Sequence, residues 1–183
     1  MIGQEVEDKR AVVRTSDNSI LGIVGKNYHI IQNRDCFDFM DEIVGGGQAI
    51  YHAAGSLNGG RVIFLTVKFP DSIKVGDDQI DKFLLLMSSH DGTKSLQIVW
   101  TPLRLSCLNV LNTAMKQGTS KISIRHTLSY ASKIRHAREV LHLTDVYYQV
   151  METEWNKLLD TKMSDNEMVQ FSENMFPAKK DDT

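Results

Sequence analysis

The stretch KFLLLMSSHDGTKSLQIVW, Lys82 to Trp100, decides the fold. Phe83-Leu84-Leu85-Leu86-Met87 is a continuous apolar run, the pattern of a strand buried on both faces. His90-Asp91-Gly92 is turn chemistry, and Ser95 to Trp100 returns as the partner strand. So short a connection joins antiparallel strands, because a parallel pair needs a crossover of a dozen residues or more.

Upstream lies a second hairpin, with Tyr51 to Leu57 as one strand, Asn58-Gly59-Gly60 as the turn and Arg61 to Phe69 as the return. Pro70 is expected to stop pairing, and residues 71–81, with Asp71, Asp77, Asp78 and Asp81, to form an acidic loop. Further upstream, 11–33 reads as a hairpin around Ser16-Asp17-Asn18-Ser19. Asn33 or Asp35 is placed to cap a helix running to about Val44, with Phe37, Met40, Asp41 and Val44 at helical spacing. Gly45-Gly46-Gly47 ends it.

Downstream, Thr101-Pro102 has the form of a helix start, Thr at N-cap and Pro at the first helical position. Leu103, Cys107, Val110, Leu111, Ala114 and Met115 continue the helical spacing, and Gly118 supplies the stop. Ser120 to His126 alternates as a strand, with Ile122 and Ile124 opposite Lys121, Ser123 and Arg125. From about Ser129 to Asp160 the pattern is helical, either one long helix or two broken near Thr144-Asp145. Ser164 with Glu167 is a capping-box pair for a short last helix, which Pro177 ends.

Strands outnumber helices and come as hairpins. The expectation is an α+β fold: a mainly antiparallel sheet packed with helices, ending in a long helix or helix pair. One domain is expected over residues 1–163, with 164–183 a short capping helix and loose tail.

Hydrophobic residues at 42% and charged residues at 24% are ordinary for a globular chain and exclude collagen-like or wholly disordered classes. No apolar run approaches the ~18 residues of a membrane-spanning helix, and the polar start of the chain is not a secretory signal. Cys36 and Cys107 each sit in an apolar stretch and read as buried thiols rather than a disulfide or metal pair. A reducing cytoplasm is the expected compartment.

The formal net charge of −2 hides an asymmetry. Gly92 to Arg138 contains no Asp or Glu, yet carries Lys94, Arg104, Lys116, Lys121, Arg125, Lys133, Arg135 and Arg138. Elsewhere 13 basic side chains face 23 acidic ones. Such blocks either interleave and pair, or gather into a basic surface on an acidic body.

Catalytic signals are weak. Ser89, His90 and Asp91 are adjacent, whereas a nucleophilic triad needs side chains converging in space. His126, His136 and His142 lack the i,i+4 spacing of a helical metal pair, and the Asp71–Asp81 acids lack the calcium-loop pattern. The glycine clusters match neither phosphate-cradling motif. No catalytic residue, metal or cofactor is assigned.

Arg104 is more informative. At the third position of a helix begun by Thr101 it would oppose the helix dipole, and beside free N–H groups it would make a phosphate site. Lys116, Lys121, Arg125, His126, Lys133, Arg135 and Arg138 extend that idea, with Tyr130 among them to stack on a base. A basic strip with an aromatic is the footprint of sequence-tolerant single-strand binding.

Several stretches together resemble the phage/plasmid-like protein family, a domain of unknown function found in mobile elements and their bacterial hosts. They are Leu21-Gly22-Ile23-Val24-Gly25 with Tyr28 and Gln32-Asn33, then Ala54-Gly55-Ser56-Leu57 with Gly59-Gly60-Arg61, then Ser89-His90-Asp91-Gly92. Thr101-Pro102-Leu103-Arg104-Leu105, Cys107, Asn109 and Ile124-Arg125-His126-Thr127 complete the set. The resemblance covers roughly residues 12–140. It implies an origin in a phage, prophage or plasmid and supplies no activity. At the level of architecture, hairpins packed on a helix are also loosely similar to ring-forming single-strand annealing proteins of the Rad-fifty-two type.

The expectation is therefore a non-enzymatic, mobile-element protein of the bacterial cytoplasm. It binds nucleic acid, single strands favoured, as a homo-oligomer and without a membrane partner. The alternatives are a protein-interaction module acting on a host or phage factor, favoured by Tyr148, Met151 and Trp155 on the long helix, and a hydrolase using His90 or His126.

Overall fold

The computed structural model describes residues 7–104, 108–117, 121–134 and 144–175; Leu108, Lys116, Gln117, Thr144 and Asp145 are described by their backbone alone. The fold is α+β. Strands β1 (Lys9–Arg14) and β2 (Ser19–Gly25) form a two-stranded sheet. Strands β3 (Ile50–Leu57), β4 (Val62–Val75), β5 (Asp78–Ser89), β6 (Leu96–Thr101) and β7 (Lys121–Ile124) form a five-stranded antiparallel sheet in chain order. The helices are α1 (Asn33–Gly45), α2 (Leu108–Gln117), a short stretch α3 over 130–134, α4 (Thr144–Leu159) and α5 (Asp165–Met175).

β5 is the spine, buried without interruption from Lys82 to Ser89. Its alternate side chains serve two cores. Leu84 and Leu86 join Ile98, Trp100 and Ile124 beneath α1 and α4, together with Met40, Ile43 and Tyr148. Leu85 and Met87 join Val99 beneath α2, with Leu111 and Ala114. The continuous apolar run follows from cover on both faces.

Three local expectations change. First, residues 71–81 are not a loop. β4 continues through Pro70 to Val75, and a two-residue Gly76-Asp77 turn, with Gly76 at φ +57°, leads into β5. Pro70 is tolerated because it falls in an irregularity: pairing jumps from Lys68↔Phe83 to Ser72↔Asp81, so no ladder bond needs its missing N–H. α4 holds this extension, with Glu152 accepting the Lys74 N–H at 2.7 Å and Asn156 accepting the Gly76 N–H at 3.0 Å.

Second, Thr101 ends β6 instead of starting a helix. It is buried opposite Phe83, and its Oγ1 accepts the Leu103 N–H at 3.1 Å. The residue before a proline is pushed toward extended backbone, which suits a strand end equally well.

Third, α1 is capped from Gln32, whose N–H is accepted by Asp35 at 3.2 Å. Its buried stripe is Cys36, Phe39, Met40 and Ile43, leaving Phe37 exposed. Burial pushes the Cys36 thiol up to about 12, with the Asp35 charge adding to it, so Cys36 is the inert buried thiol expected; Cys107 lies outside the described residues. The capping box at Ser164 and Glu167 forms, although α5 buries none of its residues. Whether 129–160 is one helix, or two broken near Thr144-Asp145, depends on 135–143, outside the described residues.

Candidate functional site

The strand ends Leu57, Val62, Ser89, Leu96 and Ile124 meet at one end of the large sheet. The β1–β2 hairpin docks across this end. Tyr28 donates its hydroxyl to the Ser89 carbonyl at 2.8 Å, and a Cβ on Gly22 would stand 2.4 Å from the Asp91 Cα, so glycine is required for the approach. Arg14 anchors the hairpin tip, with bonds to Asp17 and to the Gly59 carbonyl at 2.9 Å.

Between hairpin, α1 and the β3–β4 end lies a cleft of about 690 Å³. Val12, Leu21, Ile30 and Ile63 give it apolar walls; Arg14, Gln32, Asn33, Arg34, Asp35 and Ser56 line it with polar groups, and His90 joins them. His90 is buried, its backbone N–H is accepted by the Arg61 carbonyl at 2.7 Å, and its Nε2 lies 2.7 Å from Asn33 Oδ1. Because an amide oxygen accepts, Nε2 carries the proton and donates. Nδ1 is then a buried lone pair with no partner among the described residues. Burial lowers the His90 pKa, against an upward pull from Asp91, so the ring is neutral.

His90 and Asp35 line one cleft, the juxtaposition a hydrolase would require. The two share no hydrogen bond: Asp35 accepts from Gln32 N–H and from the Tyr130 hydroxyl at 3.0 Å. Asp91 accepts from Thr93 instead of orienting His90. Among the described residues no three of His, Cys, Asp and Glu converge as metal ligands.

The residues expected to contact nucleic acid are placed as follows. Lys121 and Arg125 are exposed at the β7 edge, and the pairs Lys121↔Val99 and Ser123↔Gln97 put Lys121 and Ser123 on the α2 side. Arg104 and Lys133 are exposed. His126 is not: it is 7% exposed, stacks on Tyr28 at 4.6 Å, and donates from Nδ1 to the His29 carbonyl at 3.1 Å. Burial lowers its pKa, opposed by that bond and helped by the nearby His90. Tyr130 is half-buried against the α1 core and held by Asp35, so its ring is a packing element. The side chain of Lys116 and all of Arg135 and Arg138 lie outside the described residues.

Ion pairing is unevenly shared. Arg14, Lys26, Lys68, Lys82 and Lys157 pair with Asp17, Asp8, Asp81, Asp71 and Glu154. Among the described residues none of Lys94, Arg104, Lys121, Arg125 and Lys133 shows such a pair. Acids lie on the β4–β5 tip, along α4 and α5, and on α1, where Asp35, Asp38, Asp41 and Glu42 fall.

Sequence reasoning missed the cleft. Its lining comes from β1, β2, α1, β3, β4 and the turn after β5, and the one available signal was that Gln32-Asn33, Gly59-Gly60-Arg61 and His90 all fall in the stretches carrying the family resemblance.

No helix among the described residues is long and apolar enough to cross a membrane. No curated protein and no solved structure matches the chain. Residues 20–183 match the family described as Domain of unknown function (DUF932), to which no catalytic activity is assigned, and the chain belongs to that family.

Proposed function

We propose that this protein binds nucleic acid, single strands in preference to duplex, as an accessory protein of a phage or plasmid and without catalysis. One observation carries the reading: among the described residues Lys94, Arg104, Lys121, Arg125 and Lys133 form no ion pair with the acids that outnumber them elsewhere, so their charge remains for an external polyanion. Arg125 and Lys94 flank the sheet end where Arg61 is also exposed. With His126 and Tyr130 engaged in packing, phosphate contact is the working interaction and base stacking falls away.

The test is a fluorescence-anisotropy titration of a labelled single-stranded oligonucleotide at several salt concentrations. Affinity should fall steeply as salt rises. Absence of binding at low salt overturns the reading.

A second reading, a protein-interaction module, is favoured by the apolar side chains exposed on the last two helices: Val146, Val150 and Leu158 on α4, Met168 and Phe171 on α5. Purification with a host or phage protein and without nucleic acid, read from the 260/280 nm absorbance ratio, would select it.

A further inference from the structure

The cleft beside His90 has a donor-rich rim that charge-strip binding leaves unused. Asn33 is exposed, and its Oδ1 is committed to His90. The amide is thereby fixed with its NH₂ turned to other partners. Arg34 is exposed beside it and makes no ion pair among the described residues, and Gln32 adds a second amide. Arg14 is spent on Asp17, Ser19 and Gly59, and so shapes the wall instead of recognising a ligand. Asp35 is the opposing charge, and its carboxylate accepts from Gln32 and Tyr130. The surplus is one guanidinium and two amides, over apolar walls of Val12, Val13, Leu21, Ile30 and Ile63. The volume falls in the range that encloses a small organic ligand.

We infer that this cleft is a binding site for a single nucleotide unit, with Arg34 on the phosphate, Asn33 and Gln32 on the base edge or sugar, and the apolar walls against the base. Guanidinium groups suit phosphate oxygens, and side-chain NH₂ groups suit the acceptor atoms of base edges and sugars. The inference rests on the nucleic-acid reading for its ligand class, but it uses residues separate from Lys121 and Arg125. The unit comes either from a free nucleotide or from one residue of a strand.

The experiment is calorimetric titration of the full chain with deoxyadenosine monophosphate, deoxyadenosine and inorganic phosphate. The monophosphate should bind at least about tenfold more tightly than either fragment. Arg34→Ala, an exposed substitution, and Ser56→Trp, which fills the cleft from its β3 wall, should each weaken the monophosphate by about tenfold or more. Lys121→Glu with Arg125→Glu should leave it unchanged, which separates failure of this site from failure of the strip. Competition by a single-stranded 12-mer assigns the unit to a strand, and binding of both together assigns it to a free nucleotide; either supports the site. No monophosphate binding up to ~5 mM, or binding indifferent to both cleft variants, overturns it.

Discussion

The Tyr148 hydroxyl accepts the Phe83 N–H at 3.0 Å, and its own proton reaches the carbonyls of Phe83 at 2.7 Å and Thr101 at 3.0 Å. One α4 side chain thus bridges β5 and β6 where the β4 irregularity has passed. The phenol is buried at 1% exposure, and burial drives its pKa far above the usual value. Lys82 lies with its ammonium 5.3 Å from the same ring.

Tyr148→Phe keeps the ring against Phe69 and Tyr147 but leaves a buried N–H unsatisfied. The expected loss is about 1–3 kcal/mol. Urea unfolding should show a lower midpoint with an unchanged slope. An unchanged midpoint would mean that water replaces the hydroxyl.

Gly22→Ala tests the docking of the first hairpin. The added methyl meets Asp91 backbone at 2.4 Å, and a Cβ on neighbouring Gly92 would likewise stand 3.2 Å from Val24. Neither backbone can yield without moving the turn that carries His90. The cost should be about 1–3 kcal/mol. The distinctive readout is local: hydrogen exchange over residues 9–25 should accelerate more than exchange over β5, because the hairpin is a separate two-stranded sheet.

How far the sequence alone reached follows from where each signal lives. The apolar run Phe83–Met87 and the capping pair Ser164 and Glu167 are local patterns, and both form as read. Residues 71–81 resisted reading because they pair with each other past an irregularity at Pro70, and the α4 side chains Glu152 and Asn156 that hold this extension lie some 80 positions later. Thr101 misled because Thr-Pro is equally compatible with a strand end, and its pairing with Phe83, reinforced by the Tyr148 bond, decides between them. His126 reads as a surface cation beside Arg125, yet alternation turns it inward, onto Tyr28. The cleft belongs to no segment, so no window of residues could display it.

The two buried histidines make stability depend on pH in a definite direction. His90 and His126 both have pKa values lowered by burial, below the ordinary ~6.5 they regain on unfolding. The unfolded chain therefore binds more protons as pH falls through that value. Stability is fully present above about pH 6.5 and is lost as pH drops toward the folded pKa values. Urea midpoints should decline between about pH 7.5 and about pH 5, and His126→Phe should flatten part of that decline while retaining the stack on Tyr28.

Charge reversal at the β7 edge separates the nucleic-acid reading from general electrostatics. Lys121 and Arg125 stand four residues apart at the edge strand, about 13 Å along it, with no acid paired to either among the described residues. Lys121→Glu with Arg125→Glu should weaken oligonucleotides of every sequence alike, since phosphate contacts carry no base information. The logarithmic salt dependence should flatten by about 1.4, two contacts at about 0.7 each for single strands. Lys157→Glu with Lys162→Glu makes the control: it removes as much positive charge as the β7 pair but sits on and just after α4, beside Glu154, in the acidic region. A double reversal no more harmful than this control would move the polyanion surface away from β7, since net charge alone would then account for the loss.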